Sequence, residues 1–430
     1  MAYNECIKVL SLCSSDNRGG AARVAVSIHS NLNACGVHSE MIVFYKEQND
    51  AAIHSLLDFA PHNKLHDLIY RIGKKIRNLR LQRRFSRYPN QDKNYKSDLS
   101  YTYFYGALQK MEYDVLHLHW ICDKFLSLDE LPKVKKPIVW TMHDEWAYCG
   151  VCHYHYDCDK FMSECGSCPQ LGSNDNNDLA NKVWLHKKKI YEQLDLHIVC
   201  PSNWIANQAR QSALLENADI RVIPNGIDTN EFRPYSVNEI ENEIPIVRRD
   251  MPVIVYGAMS ATTNYIKGFE YLKKSLEILD KKNLKVQLVV FGAEEKDINL
   301  HYDNIEVVNV GYVSDKKQLA ALYSLADVTV VPSLSENLSC VIMESLSCGT
   351  PVVAYNIGGN SDMIDHCQNG YIAKPQNVAD FAEGIKWCLE NNQNNKLGQN
   401  ARKKVQDNFD IKVIAQKYAA LYRELVLKNS

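Results

Sequence analysis

The densest group of potential metal ligands lies in the stretch YCGVCHYHYDCDKFMSECGSCPQL, residues 148–171. Its four most regularly spaced cysteines are Cys152, Cys158, Cys165 and Cys168. The last two form a Cys-x2-Cys knuckle typical of tetrahedral zinc sites, and four thiolates would leave no position for a catalytic water. Three reserve ligands lie nearby: Cys149, His153 and His155. The spacing favours a structural zinc ion and no catalytic metal, with free thiols or a disulfide as the alternatives.

Two glutamates, Glu336 and Glu344, flank the predicted start of a helix. Free N–H groups at a helix N-terminus bind phosphate oxygens, and here Asn337, Leu338 and Ser339 occupy that place. A carboxylate one or two turns inside the helix can accept hydrogen bonds from ribose hydroxyls. The pattern therefore suits a nucleoside diphosphate, although two unrelated glutamates on an exposed helix would have the same spacing.

Two further groups of polar or glycine residues follow predicted strands. Gly19 and Gly20 open a helix after the first strand, where backbone can approach an anion, but a tight turn has the same sequence. His143 and Asp144 end the strand PIVWTMH. Open α/β sheets bind ligands at the carboxyl ends of their strands, so His143 is either a ligand-binding or a structural residue.

The elements that must position these residues alternate between β-branched runs and helical patterns, as in a parallel sheet. The alternation restarts after a polar stretch, residues 228–250. The sequence therefore predicts two doubly wound α/β domains, residues 1–205 with a cysteine-rich insertion at 149–170, and residues 206–410. Residues 411–430 form a helix with an apolar face, expected to pack back toward the first domain.

Composition limits the function classes. The 430 residues carry a net charge of -2, with none of the basic excess of a nucleic-acid-binding protein. No run of apolar residues approaches the roughly 18 needed to span a bilayer, and the N-terminus does not resemble a signal peptide. We therefore expect a cytoplasmic protein, in which the 14 cysteines are buried thiols or metal ligands rather than a disulfide framework.

One local charge excess lies at residues 62–96, where eleven Lys and Arg face two Asp. Apolar residues fall on one helical face of this segment. A basic amphipathic helix of this kind suits an anionic membrane surface, which would make the protein peripheral on the inner face of the membrane. A helix packed on its own domain by the apolar stripe explains the pattern equally well.

Four motifs occur together in the second half: the Glu-x7-Glu pair, CGTPVVAYNIGG at 348–359, IPNGID at 223–228 and IKGFEYL at 266–272. This set resembles retaining glycosyltransferases of family 4, and the glycine turn and TMHDEWA extend the resemblance to the first half. The resemblance implies the GT-B fold, two Rossmann-like domains facing a central cleft. Some polysaccharide-assembly members carry a similar cysteine-rich insertion after the His-Asp motif.

The resemblance also implies residue roles. In the family, the second glutamate, here Glu344, holds the nucleotide ribose, and the first, here Glu336, faces the donor sugar. Lys267 is similar to the lysine that neutralises the donor diphosphate, and His143 to the histidine that touches the donor sugar. The implied catalytic residues are Glu336, His143, Lys267 and Asp144. The implied donor-binding residues are Gly19, Gly20, Lys267, Glu336, Asn337, Leu338, Ser339 and Glu344.

The implied reaction is metal-independent transfer of a sugar from a UDP- or GDP-sugar to a saccharide or lipid-linked saccharide in surface polysaccharide biosynthesis. The sequence departs from the family where an arginine commonly precedes the lysine, since Ala258, Met259 and Ser260 stand there. Either Arg18 or another basic residue substitutes for the arginine, or backbone and hydroxyl donors such as Thr262 and Thr263 hold the diphosphate. The alternatives are a GT-B nucleotide-sugar epimerase and a zinc-dependent interaction protein with a vestigial transferase core.

Overall fold

The computed structural model describes residues 6–59, 68, 72–73, 75–76, 79, 83–90, 106–122, 125–244, 250–257, 262–294, 298 and 300–429. The chain forms two compact units. The first unit runs to Ile223 and resumes at Ala415, and the second unit is Pro224–Ile414. The division therefore falls 18 residues beyond the predicted limit at 205, because the segment that follows supplies one more strand to the first sheet.

The first unit is built on a parallel sheet of seven strands in the order β3-β2-β1-β4-β5-β6-β7. The strands are β1 (Ile7–Ser15), β2 (Val37–Tyr45), β3 (Ile53–Ser55), β4 (Val115–Leu118), β5 (Ile138–Thr141), β6 (Leu196–Cys200) and β7 (Asp219–Val222). The central strands are buried along their whole length, which explains their nearly continuous apolar sequences.

Helices connect these strands. Those described are α1 (Gly19–Leu32), α2 (Ala107–Lys110), α3 (Leu179–Tyr191) and α4 (Asn203–Gln211). Asp178 caps α3 by accepting a hydrogen bond from the Asn181 amide, and Ser202 caps α4 through the Ile205 amide. The apolar stripe of α3 is buried against the sheet, and with it the side chain of Lys187.

The second unit has a parallel sheet of six strands in the order β10-β9-β8-β11-β12-β13. The strands are β8 (Val253–Gly257), β9 (Val286–Phe291), β10 (Ile305–Gly311), β11 (Val328–Val331), β12 (Val352–Tyr355) and β13 (Gly370–Ala373). Its helices are α5 (Val237–Glu243), α6 (Phe269–Lys281), α7 (Lys316–Leu325), α8 (Cys340–Ser347), α9 (Asn360–Met363), α10 (Val378–Asn391) and α11 (Lys396–Asn408). A hydrophobic core lies on each face of this sheet.

Both sheets reverse their strand order once, between β1 and β4 in the first unit and between β8 and β11 in the second. At such a switch point the two connecting helices leave on opposite faces, so the loops at the carboxyl ends of the strands separate and leave a crevice. Each unit therefore has one place where side chains from two loops can converge on a ligand.

The last helix, α12 (Ile411–Lys428), supplies side chains to the first unit from Ala415 onward. The Tyr418 hydroxyl lies 2.8 Å from Thr141 Oγ1, and the Tyr422 hydroxyl 2.8 Å from His117 Nδ1. Glu424 accepts hydrogen bonds from both terminal nitrogens of Arg221, at 2.6 and 2.7 Å. These contacts are buried or partly buried, so the helix completes the core of the first unit.

No helix among the described residues has the length and apolar character to cross a membrane. Most of the basic segment 62–96 lies outside the described residues. Four of its described apolar side chains are exposed, Leu68, Ile72, Ile76 and Leu79, whereas Phe85 and Tyr88 are partly buried against the core of the first unit.

The buried imidazole of His117 predicts a pH dependence of stability. Burial lowers its pKa to about 3, from an ordinary value of 6.5. Between those two values the unfolded chain binds a proton that the folded chain does not, so His117 lowers stability by about 1.4 kcal/mol for each unit that the pH falls. We expect His117→Gln to flatten the dependence of the free energy of unfolding on pH between 6.5 and 4, measured by urea denaturation. The exposed His38→Gln is the control, and an unchanged slope in His117→Gln would contradict the assignment.

Candidate functional site

An ion pair at the switch point of the second unit joins two predicted residues. Lys267 Nζ lies 2.7 Å from Glu336 Oε1, and both side chains are largely buried. Lys267 ends a short 3-10 turn after β8, and Glu336 lies in the loop after β11. A lysine and a carboxylate held together at this place can present a positive charge to a phosphate and a negative charge to a neighbouring group of the same ligand.

Two glycines allow the backbone segments around Lys267 and Glu336 to lie close together. Gly268 has φ +72°, and a Cβ there would lie 1.9 Å from the carbonyl oxygen of Pro332. Gly358 has φ +52°, and a Cβ there would lie 1.5 Å from the carbonyl oxygen of Glu336. The next residue, Gly359, donates its amide to the Asn337 carbonyl at 2.9 Å. The glycine pair of the 348–359 motif therefore supports the loop that carries Glu336.

The second glutamate of the motif is held inside a helix. Glu344 lies in α8, which begins at Cys340 with Ser339 as its N-cap, slightly later than predicted. One Glu344 oxygen accepts a hydrogen bond from the hydroxyl of Tyr323 at 2.9 Å, and Tyr323 is buried in α7. The tyrosine orients the carboxylate, and no local pattern indicates this contact because the two residues are 21 positions apart.

The segment where the family commonly has an arginine, residues 258–261, lies outside the described residues. Thr262, the first described residue after it, has a buried hydroxyl oxygen with no hydrogen-bond partner within the described part of the chain. Such a hydroxyl can donate to a phosphate oxygen.

In the first unit, His143 follows β5 and contacts a histidine that the sequence analysis did not select. His119 Nδ1 lies 3.0 Å from His143 Nε2, and the two rings stack with centroids 5.3 Å apart. Burial lowers the pKa of His143 to about 4 and lowers that of His119 well below its ordinary value. Both rings are therefore neutral near pH 7, with one ring nitrogen donating to the other, so His119 selects the tautomer of His143.

The structure places Asp144 as the acceptor of three hydrogen bonds. Its carboxylate accepts hydrogen bonds from Trp120 Nε1 at 2.9 Å, from the Trp146 amide at 2.9 Å and from His153 Nδ1 at 2.7 Å. Burial by itself would raise the pKa of Asp144, but these hydrogen bonds outweigh burial and lower it. Asp144 therefore stays ionised and fixes the loop that carries His143.

The glycine turn lies at the start of α1. Gly19 has φ +86°, and a Cβ added to Gly19 or Gly20 would meet no atom within 4 Å, so the space beside the turn is open. Arg18 is held by Glu47 at 2.6 Å and lies over the ring of Tyr45, with 4.5 Å to the centroid. These side chains line a cavity of about 520 Å³.

All fourteen cysteines are free thiols. The four predicted zinc ligands, Cys152, Cys158, Cys165 and Cys168, lie in one region, but among the described residues no three of their sulfurs come within 4.8 Å of one another. The set that meets this distance is Glu145, Cys149 and His155. The geometry therefore differs from the one that the spacing indicated, because the loop folds Cys149 inward beside Glu145.

Each half of the chain matches a family model of glycosyltransferases. Residues 18–231 match the family model "Glycosyltransferase Family 4", and residues 241–404 match "Glycosyl transferases group 1". A putative colanic acid biosynthesis glycosyl transferase, WcaC of Escherichia coli, is 25% identical over 351 residues, which are 78% of this chain and 80% of the relative.

A second relative is the N,N'-diacetylbacillosaminyl-diphospho-undecaprenol alpha-1,3-N-acetylgalactosaminyltransferase of Campylobacter jejuni. It is 28% identical over 227 residues, 51% of this chain and 58% of the relative. Among solved structures, HepE of Anabaena in complex with UDP and glucose matches with a TM-score of 0.60 and 17% identity, covering 97% of this chain and all of HepE. The two parallel sheets, the motifs in order and these matches lead to one conclusion: the chain belongs to glycosyltransferase family 4 and has the GT-B fold.

Proposed function

We propose that this glycosyltransferase moves a sugar from a nucleoside diphosphate sugar, with retention at the anomeric carbon, to a saccharide or lipid-linked saccharide acceptor in surface polysaccharide biosynthesis. The observation that carries the proposal is the Lys267–Glu336 pair, 2.7 Å apart beside the N-terminus of α8. UDP in the HepE structure and the acceptor named for the Campylobacter relative favour a UDP-sugar and a lipid-linked acceptor.

In this mechanism the second unit stabilises the departing diphosphate. The Lys267 ammonium neutralises charge that grows on the leaving phosphate, and backbone amides at the start of α8 and the Thr262 hydroxyl donate to its oxygens. Glu344, oriented by Tyr323, accepts hydrogen bonds from the ribose. Glu336 faces the donor sugar, and the departing phosphate takes the proton of the acceptor hydroxyl, so no metal ion is required.

The first unit supplies His143, Asp144 and the glycine turn. His143, neutral and fixed by His119, donates or accepts a hydrogen bond at a sugar hydroxyl without adding charge. Gly19 and Gly20 leave the open space into which a diphosphate can approach the amides of α1. The cavity beside Arg18 and Tyr45 has the size and the aromatic and polar lining that suit a saccharide acceptor.

The donor is tested by a thermal-shift panel of UDP-, GDP- and ADP-sugars, because a ligand that binds only the folded state raises its apparent stability. We expect stabilisation by one nucleotide class, and release of nucleoside diphosphate only when an acceptor is added. Release without acceptor, or stabilisation by none of the three classes, would count against the proposal.

Lys267→Ala should lower kcat/KM about 10²–10³-fold, because the charge that stabilises the leaving diphosphate is lost. The measurement is nucleoside diphosphate release with acceptor present. Lys273→Ala is the matched control, since Lys273 lies on the surface of α6 beside Glu270. Equal rates for both variants would remove Lys267 from the mechanism.

Gly358→Ala should weaken nucleotide binding, because a Cβ there must displace the backbone of Glu336. Gly311→Ala is the control: Gly311 also has positive φ, +71°, but a Cβ there would meet no atom within 4 Å. Both variants bear a backbone cost of about 1–2 kcal/mol in stability. The affinity of each variant for nucleoside diphosphate is measured by calorimetric titration. Equal affinities would contradict the prediction, because the Glu336 loop would then tolerate a Cβ at position 358.

We also propose that the basic segment 62–96 binds an anionic membrane surface, supported by its charge and by the exposure of Ile72 and Ile76. The double variant Ile72→Glu/Ile76→Glu should lose cosedimentation with phosphatidylglycerol vesicles. Leu427→Glu, which adds a charge at an exposed leucine of α12, should not. Equal vesicle binding by both variants would refute a membrane role for this face.

A further inference from the structure

The loop after Asp144 carries a ligand set that the transfer reaction does not use. One ligand atom each from Glu145, Cys149 and His155 lies within 4.8 Å of the others. Zinc bonds of about 2.0–2.3 Å at tetrahedral angles put ligand atoms roughly 3.3–3.8 Å apart, so these three side chains need only small shifts to share one ion. We propose that they bind a structural Zn²⁺, with Cys152 as the fourth ligand.

Cys152 is the candidate for the fourth ligand because it is buried in the same loop, although its sulfur would have to move inward to join the three ligand atoms that lie within 4.8 Å of one another. Cys149 and Cys152 are separated by two residues, the knuckle spacing typical of zinc sites. Two thiolates, one imidazole and one carboxylate make four ligands of the types that zinc takes, and four protein ligands leave no open position for a catalytic water. The ion is therefore structural.

Burial supports a cation at this place. Glu145 is 4% exposed, Cys149 1% and Cys152 6%. Within the described ranges, the only basic side chain within ion-pair distance of the Glu145 carboxylate is His155, at 2.6 Å. A buried carboxylate is costly unless a partner compensates its charge; His155 is that partner in the metal-free loop, and a divalent cation shared with two thiols would take over this role.

The backbone is already folded around these side chains. The Cys149 amide donates to the Glu145 carbonyl at 3.1 Å, and the Glu145 amide donates to the His153 carbonyl at 3.2 Å. The His155 amide donates to the Glu145 carboxylate. A ligand set held by its own loop loses little conformational entropy when the ion binds.

The other cysteines of the stretch lie outside the three-ligand set. Cys165 and Cys168 are buried in the same hydrophobic core as Cys149 and Cys152, and the Cys168 amide donates to Asp178 at 2.7 Å. Cys158 is less buried than these two. All three provide controls of the same chemistry within 20 residues of the proposed site.

The ion would stabilise the loop that holds Asp144. Asp144 and Glu145 are adjacent, and their partners His153 and His155 are two residues apart. A zinc ion bound by Glu145 and His155 would therefore fix the backbone that brings His153 to Asp144. This inference does not depend on the sugar-transfer proposal, because it concerns metal content and loop stability.

The test is zinc content by mass spectrometry on the full chain, purified under reducing conditions without a histidine tag. We expect about one zinc per chain, lost in Cys149→Ser and His155→Asn and kept in Cys158→Ser and Cys168→Ser. Zinc kept in Cys149→Ser, or lost in both control variants, overturns the proposed ligand set. A chain that remains free of metal after dialysis against zinc overturns the site.

A second measurement needs no variant. Replacing zinc with Co²⁺ should give a thiolate-to-cobalt charge-transfer band with the intensity of two thiolates, whereas a four-cysteine site gives about twice that intensity. Alkylation without reduction, followed by peptide mapping, should find Cys149 and Cys152 as thiols. A disulfide between them, or a band of four-thiolate intensity, would refute the proposal even where Cys149→Ser fails to fold.

Discussion

The reversal of strand order within each parallel sheet is the constraint on which the rest of the structure depends. A parallel sheet buried on both faces has polar side chains available mainly at its ends, and only at a switch point do two loops separate enough to admit a ligand. Lys267 and Glu336 follow the two strands on either side of the reversal in the second sheet. In the first sheet, Gly19 and His119 follow the corresponding strands. In each unit the candidate functional residues therefore lie in the loops at the reversal of strand order, and the sequence motifs fall in these loops.

Local patterns predicted the parts of this arrangement that depend on neighbours in sequence. Alternating apolar runs gave the two doubly wound sheets, and the glycine and glutamate motifs gave the loops of the second unit. The predicted limit at 205 falls before the edge strand β7, whose membership in the first sheet depends on pairing with β6. A pairing of that kind has no local signature.

Contacts between distant residues account for most of what was missed at the site. His119 meets His143 across 24 residues, and Tyr323 meets Glu344 across 21. Gly358 supports Glu336 from the next strand loop. The cysteine spacing pointed to four cysteine ligands, whereas the described loop brings Cys149 within 4.8 Å of ligand atoms of Glu145 and His155. Spacing in the sequence does not show this, because the turn at Glu145 decides which side chains of the stretch lie close together.

The return of the chain to the first unit has a consequence for biosynthesis. Tyr418 and Tyr422 cover polar atoms of β4 and β5, the buried centre of the first sheet, yet they are translated after all of residues 224–414. On the ribosome the second unit is a continuous segment that is complete at residue 414, whereas the tyrosine hydroxyls of α12 that contact His117 and Thr141 are not yet available. A nascent chain that stalls before residue 415 therefore has all the described strands of the first sheet but lacks the tyrosines that cover its centre, so the core of the first unit is incomplete.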